Sequence, residues 1–216
     1  MTMTNIPAHA SNRVPLWLKF AYSAFMIVLV PVYWHYYGPT NFLYFCDVAL
    51  FITLAGLWLE SPLLISMCAV GILAPQAGWV LDFVFNLFGA PLLGMTDYMF
   101  KHENSLFLRG LSLFHGWLPF LLAYLVLQLG YDRRGFLAWT VLSWALILIC
   151  FFFMPPPDPN AGLTPVNINY VWGPSDNAAQ TWVSPQVWLA GMMIGMPLLL
   201  FWPVHILLSF YAPRPA

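Results

Sequence analysis

The sequence predicts an all-α protein, a polytopic transmembrane helical bundle of about six spans. Apolar residues make up 61% of the 216 residues and charged residues only 7%, against roughly 45–50% and about 25% in ordinary globular domains. So few charges would not solvate the surface of a water-soluble protein of this length. The apolar runs are continuous rather than alternating, which favours membrane helices over a β-barrel.

Six stretches approach the roughly 20 apolar residues that a helix needs to cross a hydrocarbon core of about 30 Å. The predicted spans cover residues 16–35, 41–60, 62–85, 106–129, 136–154 and 186–211. The first run is too long for a signal-peptide core and ends in aromatic residues, so we expect it to be retained. Residues 1–15 then form a cytoplasmic tail, and residues 16–212 a single transmembrane domain.

The basic residues predict the orientation of the spans. Five of them fall on one side of a six-span chain: Arg13, Lys19, Arg133, Arg134 and Arg214. Only Lys101 and Arg109 fall on the other side. Because loops rich in Lys and Arg remain in the cytoplasm, both termini are predicted to be cytoplasmic. The expected location is the inner membrane of a cell, with the lipid bilayer as surroundings.

Two long connections are predicted to lie outside. Residues 86–105 contain an apolar half, Leu87–Met99, that we expect to form an interfacial segment lying flat or a re-entrant segment. Residues 155–185 are rich in Pro and Asn and contain Trp172 and Trp182. Long loops are usually functional or disordered, and these aromatic residues favour an ordered lid. On the inner side, Glu60 is expected to be solvated.

Several polar and ionisable residues lie within the predicted spans. An ionisable side chain costs at least about 2.5 kcal/mol in hydrocarbon and is therefore a functional hypothesis by default. A helical rise of about 1.5 Å per residue places them in the outer half of the membrane, with Asp47 about 9 Å deep and His115 roughly 13 Å deep. The candidates are His35, Asn41, Asp47, Gln76, Asp82, Arg109, Ser112 and His115.

The polar residues allow two interpretations. In one, they hold helices together, with Asp82 bound to Arg109 and Asp47 bound to His115 or to hydroxyl groups. In the other, they line an outward-facing pocket in which Asp47 and His115 act as an acid–base pair, or bind a metal together with His35. The chain lacks the usual spacings of metal ligands, so no metal site is predicted, and the sequence identifies no cofactor.

The last predicted span has a face of small residues. Gly191 and Gly195 form a small-xxx-small pattern, which is typical of close contact with another helix. The neighbouring methionines indicate an adaptable packing surface. His205 in the same span is interpreted as a hydrogen-bonded packing residue rather than a haem ligand.

Four segments carry a family resemblance: Tyr36–Asp47 (YYGPTNFLYFCD), Leu57–Leu63 (LWLESPL), Phe107–His115 (FLRGLSLFH) and Asn167–Gly173 (NINYVWG). They resemble an uncharacterised family of bacterial multi-pass integral membrane proteins. The resemblance implies a membrane location and supplies no activity.

Two functions remain open at this point. The favoured one is a non-catalytic subunit or accessory component that packs against partner helices, lipids or pigments in a larger membrane complex. It is suggested by the 18% aromatic residues and by the glycine face of the last span. The alternative is a membrane enzyme that acts on a lipid-soluble substrate through Asp47 and His115. A permease ranks third, because few polar residues lie in the inner half. A net charge of −1 argues against a nucleic-acid partner.

Overall fold

The chain folds into a bundle of α-helices, as predicted. The computed structural model describes residues 13–90, 92, 94–100 and 105–215, and these residues form helices and turns without a β-strand. The helices are α1 (Leu16–Tyr37), α2 (Phe45–Leu59), α3 (Pro62–Leu87), α4 (Leu106–Ser112), α5 (Phe114–Leu129), α6 (Arg134–Phe153), α7 (Pro185–Met196) and α8 (Trp202–Tyr211). Short 3-10 turns cover Pro39–Leu43, Asp97–Met99 and Ile168–Tyr170, and a π-helical turn, Pro197–Phe201, joins α7 to α8.

Five helical stretches in the described chain are long and apolar enough to cross a membrane. They are α1, α3, α6, the α4–α5 stretch Leu106–Leu129, and Pro185–Tyr211, which is called the last span below. Large apolar side chains such as Ile27, Phe120 and Phe153 point away from the bundle and are exposed. Exposed apolar surface on this scale is compatible with an integral membrane protein.

The second predicted span differs from the expectation. Instead of a helix over residues 41–60, the 3-10 turn Pro39–Leu43 precedes α2, and Tyr44 between them is extended (φ −62°, ψ 140°). The helix α2 has 15 residues and is about 22 Å long at 1.5 Å per residue. It is therefore shorter than the hydrocarbon core of about 30 Å.

Helix α3 lies at the centre of the bundle and packs most extensively against α2, α5 and α6. Its contact with α6 depends on glycine. A Cβ atom added at Gly71 would collide with the indole ring of Trp139, which is fully buried. On α6, a Cβ atom at Gly135 would lie 2.8 Å from the backbone nitrogen of Met67. The two helices can therefore approach this closely only because both sites lack a side chain.

The last span lies at the edge of the bundle. Only 17% of its most apolar 18-residue stretch is buried, compared with 56% for α3. The indole nitrogen of Trp144 on α6 donates a 2.7 Å hydrogen bond to the Met193 carbonyl and attaches one side of α7. On its open side, a Cβ atom at Gly191 or Gly195 would meet no atom within 4 Å in the part of the chain that the structure describes.

The N-terminal end of α1 is bound to the turn that follows α2. The Glu60 carboxylate accepts hydrogen bonds from the backbone N–H groups of Arg13 (3.1 Å) and Val14 (3.3 Å). It also forms a 2.8 Å ion pair with Lys19, whose side chain is only 5% exposed. The expectation that Glu60 is solvated is therefore wrong, because a buried lysine requires a charged partner.

The C-terminal segment lies at this same end of the bundle. The backbone N–H of Tyr131 donates a 2.7 Å hydrogen bond to Pro213, and the Asp132 N–H donates one of 2.8 Å to the Ser66 hydroxyl. The Tyr131 hydroxyl and His205 Nδ1 share a 2.7 Å hydrogen bond, which confirms His205 as a hydrogen-bonded packing residue. We call this end, which holds residues 13–14, 60–66, 130–134 and 213–215, the terminal end. The opposite end, with residues 38–44, 92–100 and 155–184, is the loop end.

Candidate functional site

The polar residues of the predicted spans gather at the loop end, around Asp47. This residue lies in the first turn of α2 and is 3% exposed. Its Oδ2 atom accepts a 3.3 Å hydrogen bond from the Asn41 amide and a weak contact of 3.7 Å from the Cys46 thiol. Its Oδ1 atom is buried without a hydrogen-bond partner among the described residues. One oxygen of this carboxyl group is therefore satisfied within the chain and the other is not.

Tyrosines surround this carboxyl group. Tyr33 and Tyr37 of α1 and Tyr44 before α2 lie close enough to interact electrostatically with Asp47. The hydroxyls of Tyr33 and Ser112 share a 2.9 Å hydrogen bond, and the Tyr98 side chain lies beside Ser112. The cluster thus consists mainly of neutral hydrogen-bonding groups around one buried acidic residue.

His115 lies next to this cluster but does not pair with Asp47. Its Nδ1 atom is 2.8 Å from the Ser112 carbonyl on the preceding turn, and a carbonyl only accepts, so Nδ1 donates. Its ring stacks on Trp79 and Phe114, with centroids 4.9 and 4.1 Å apart. The predicted hydrogen bond between Asp47 and His115 does not form in the described chain. Stacking between aromatic rings determines the position of the imidazole instead.

The predicted ion pair between Asp82 and Arg109 is also wrong. The Asp82 carboxylate, which is fully buried, accepts hydrogen bonds from the backbone N–H groups of Leu92 (2.9 Å), Gly94 (3.2 Å) and Thr96 (2.9 Å), and from the Thr96 hydroxyl (2.8 Å). Arg109 donates a 3.0 Å hydrogen bond to the Met99 carbonyl. Within the described residues the two charges bind the same loop segment and form no ion pair with each other.

The segment 92–100 is thereby fixed to the helices. Its backbone is bound by Asp82, and Asn86 Nδ2 donates a 3.1 Å hydrogen bond to the carboxylate of Asp97. Beyond the end of α3, the described part of this connection contains one short 3-10 turn, Asp97–Met99. The expectation of an interfacial or re-entrant segment stays a prediction. Residues 91, 93 and 101–104, including Lys101, lie outside the described residues.

Two further candidates occupy different positions. Gln76 on α3 is 2% exposed, and its Oε1 atom is buried without a partner in the described chain. His35 lies on an exposed face of α1 with its ring edge against Tyr36. Gln76 is thus a second buried acceptor within the bundle, whereas His35 is not part of the cluster around Asp47.

Sequence reasoning missed Asn169, which joins the long loop to α2. Its Oδ1 atom accepts a 3.0 Å hydrogen bond from the Phe45 backbone N–H, and its Nδ2 group donates a 2.9 Å bond to the Leu43 carbonyl. Asn169 satisfies a backbone N–H group in the first turn of α2, which a helix cannot satisfy itself. Two asparagines close together in the NINY segment indicate local bonding to the backbone, which Asn167 provides by accepting from the Trp172 N–H, but they do not indicate the long-range bonds of Asn169.

The backbone of this loop is unusual. Asn167, Asn169 and Tyr170 have positive φ angles of 48°, 58° and 61°. Asparagine tolerates this conformation, whereas a bulky residue such as tyrosine does not favour it.

Burial raises the pKa of Tyr170 to about 12, so its hydroxyl remains protonated at neutral pH. Val166, Ile168 and Val171 are buried, and the loop is therefore an ordered cover over this end of the bundle.

The cluster has limited chemical options. Among the described residues, no group of three or more His, Cys, Asp and Glu side chains is arranged to hold a metal ion. The unpartnered buried acceptors, Asp47 Oδ1 and Gln76 Oε1, are suited to accept a hydrogen bond. Most other polar groups already bind within the chain. The arrangement therefore resembles a polar network that joins loops to helices.

Comparison with known proteins gives no match: no protein-family model, no curated protein and no solved structure is similar to this chain. The geometry of the chain is therefore the basis for any functional conclusion.

Proposed function

We propose that this protein is a non-catalytic membrane subunit that binds a helix of a partner membrane protein against its last span. One observation carries the proposal: a Cβ atom added at Gly191 or Gly195 would meet no atom of the described residues within 4 Å, so this face of α7 is open. A groove of about 480 Å³ runs along this face. Its walls are apolar and are formed by Val183, Val187, Trp188, Gly191, Met192, Gly195, Met196, Leu199 and Leu200.

The groove has the properties that helix association in lipid requires. Lipid tails are as apolar as leucine, so helices associate through close packing, and small residues allow their backbones to approach. Gly191 and Gly195 are four residues apart and therefore lie on one side of the helix. Methionine side chains adapt to the shape of a partner. The indole of Trp188 donates a 3.0 Å hydrogen bond to the Tyr170 carbonyl, which fixes one wall.

The contacts at the loop end support a structural role for the polar residues. Asp82, Arg109 and Asn169 use their hydrogen-bonding groups to hold backbone segments on the helices. Side chains used in this way are not available to a substrate. Of the five helical stretches that could cross a membrane, the last span is then the least buried, and we propose that the partner covers it.

The topology that we propose has six crossings with both termini in the cytoplasm of a cell whose inner membrane holds the protein. The arrangement of Arg13 beside Glu60 and of Pro213 beside Tyr131 at one end of the bundle supports an even number of crossings. Helix α2, together with the 3-10 turn before it, would form the second crossing. Arg133, Arg134 and Arg214 at the terminal end agree with a cytoplasmic side.

The docking proposal is tested with bulky substitutions in the groove. Gly191→Leu/Gly195→Leu fills the groove, and the control Gly116→Leu adds the same side chain on α5, where a Cβ atom also meets nothing within 4 Å. We expect wild type and control to elute from native membranes in mild detergent as a complex heavier than the 24.5 kDa chain. The groove variant should give the single chain, measured as intact mass.

A wild-type protein that is a lone chain in mild detergent contradicts the proposal. So does a groove variant that retains the full complex mass. A complex with a mass that is a multiple of the single chain would identify the partner as a second copy.

The topology is tested by cysteine labelling. Arg133→Cys, Arg214→Cys and Trp182→Cys are each placed in a chain whose native cysteines are replaced by alanine. A membrane-impermeant thiol reagent applied from outside should label only Trp182→Cys. Labelling of Arg133→Cys or Arg214→Cys from outside contradicts the proposed orientation.

A second candidate function is a membrane enzyme that uses the polar cluster. The buried, unpartnered Oδ1 atom of Asp47 favours it, because burying a polar atom without a hydrogen bond is costly unless a ligand or proton satisfies it. Among the described residues Asp47 binds Asn41 and Cys46, and His115 binds the Ser112 carbonyl. The absence of a direct hydrogen bond between the two side chains argues against their action as one acid–base pair.

A further inference from the structure

A pocket at the terminal end lies far from both sites described above. It has a volume of about 550 Å³ and forms between the turn that joins α5 to α6 and the C-terminal segment. Its lining consists of Tyr131, Asp132, Arg133, Arg134, Arg214 and Pro215. Two segments that are distant in the sequence, residues 131–134 and 214–215, therefore line the same pocket.

The backbone holds these segments together. Gly130 has a φ angle of +89°, and a Cβ atom there would lie only 2.5 Å from the carbonyl carbon of Arg214. The C-terminal segment therefore lies directly on Gly130, and the hydrogen bond of 2.7 Å from Tyr131 to Pro213 fixes its register. These two contacts hold the backbone of Arg214 at the pocket.

The pocket has an excess of positive charge. Arg134 binds the Asp132 carboxylate through Nη2 at 2.7 Å and through Nε at 3.1 Å. This hydrogen bonding holds the pKa of Asp132 below its usual range, so the carboxylate is ionised and balances one guanidinium. Arg133 and Arg214 form no hydrogen bond or ion pair through their side chains with any described residue. Two guanidinium groups therefore remain for an anion.

The surroundings of the pocket place it beside apolar surface. Leu137, in the first turn of α6, is 65% exposed, and Phe210 and Tyr211 at the end of α8 are 80% and 82% exposed. Aromatic residues at helix ends are typical of the headgroup level of a membrane. An anion in this pocket would thus have space for attached acyl chains on the neighbouring helix surfaces.

We propose that this pocket binds the phosphate group of an anionic phospholipid. Guanidinium groups match phosphate oxygens with paired hydrogen bonds, and basic pockets at the cytoplasmic ends of membrane helices bind anionic headgroups. Free phosphate offers the same oxygens to the arginines. The adjacent apolar side chains favour the lipid over free phosphate, because only the acyl chains of a lipid can cover them.

The test uses the full chain in a neutral detergent, with bound lipid counted by native mass spectrometry. Phosphatidylglycerol and phosphatidylcholine with identical acyl chains are titrated separately, and inorganic phosphate is added as a competitor. We expect one phosphatidylglycerol per chain to bind more tightly than phosphatidylcholine. Arg133→Gln/Arg214→Gln should weaken this binding on the order of thirtyfold, from the usual contribution of a basic residue beside an anionic membrane.

Two control variants make the result specific. Arg13→Gln removes a basic side chain at the same end but outside the pocket and should leave the affinity within about twofold, since only nearby charges contribute strongly. Arg133→Lys/Arg214→Lys keeps the charge but not the paired hydrogen bonds, so its affinity should lie between those of the wild type and the glutamine variant, and its binding also shows that substitutions at these sites fold. Equal affinity of wild type and the glutamine variant overturns the proposal. Equal binding of the two lipids overturns it as well. Displacement of the lipid by millimolar inorganic phosphate overturns it in favour of a soluble anion.

Discussion

Helix α3 and the last span have similar hydropathy and different environments. Both are apolar and both have glycines on one face, with mean hydropathy values of 1.7 and 1.8. On α3, the indole of Trp139 covers Gly71, whereas no described residue would contact a Cβ atom added at Gly191 or Gly195. A glycine face thus becomes part of the core only when another helix supplies a large side chain opposite to it.

The polar residues show the same difference. Asp82 on α3 is fully buried and binds the backbone of segment 92–100. The last span has its hydrogen-bonding side chain His205 near the terminal end, where it binds Tyr131. Its groove is lined by apolar side chains. We therefore interpret α3 as the element that organises the bundle and the last span as the element that meets a partner.

The largest expected effect lies at Asp82. Asp82→Ala would leave the buried N–H of Thr96 and the part-buried N–H groups of Leu92 and Gly94 without an acceptor. Each unsatisfied buried donor costs roughly 1–3 kcal/mol, so we expect a loss of about 3 kcal/mol or more in the free energy of unfolding. Thermal unfolding in detergent measures this, and amide hydrogen exchange should show faster exchange at Leu92, Gly94 and Thr96.

The matched control for this change is Asp97→Ala in the same segment. Asp97 is exposed, and its carboxylate accepts from Asn86, so its loss should cost less than about 1 kcal/mol, as is usual for surface substitutions. Equal effects of the two substitutions would contradict the special role of α3.

A smaller effect is expected from alanine at the two kinds of glycine. Gly71→Ala should cost about 1–3 kcal/mol, because the added methyl group must displace the buried Trp139 ring. Gly191→Ala should be neutral or slightly stabilising, since alanine favours a helix by roughly 0.5–1 kcal/mol over glycine where space allows. The difference in melting temperature between the two variants measures this. A destabilised Gly191→Ala chain would show that the groove is already filled.

The smallest expected effect concerns the residues around the cluster. Asp47→Asn and His115→Gln keep hydrogen-bonding capacity, so each should cost no more than about 1 kcal/mol, as for other polar contacts in membrane bundles. The mass of the purified complex should be unchanged. If the Asp47→Asn protein folds, inserts and assembles normally but has lost its biological activity, the result would favour the enzyme hypothesis instead.

The helices were predictable from the sequence to a large extent. Five predicted spans agree with the helical stretches within two residues at each end, because continuous apolar runs determine membrane helices. The exception is α2, whose start depends on Asn169, 124 residues away along the chain. The residues next to the start of α2 in the sequence cannot reveal that Asn169 binds its first backbone N–H group.

The site was less predictable, for a physical reason. Asp82 was expected to bind a side chain of opposite charge, yet it binds backbone N–H groups. Every residue except proline has such a group, so the sequence has no pattern that identifies these donors. Similarly, the spacing of Gly191 and Gly195 indicates close packing but not whether the partner belongs to the same chain.

The ion pair between Lys19 and Glu60 has a consequence for biosynthesis. The ribosome makes Lys19 first, and its partner follows 41 residues later. Until Glu60 emerges, the first hydrophobic segment has a lysine that the folded protein buries. We therefore expect α1 to remain next to the translocon until α2 has been synthesised, and the two helices to enter the lipid together as a hairpin.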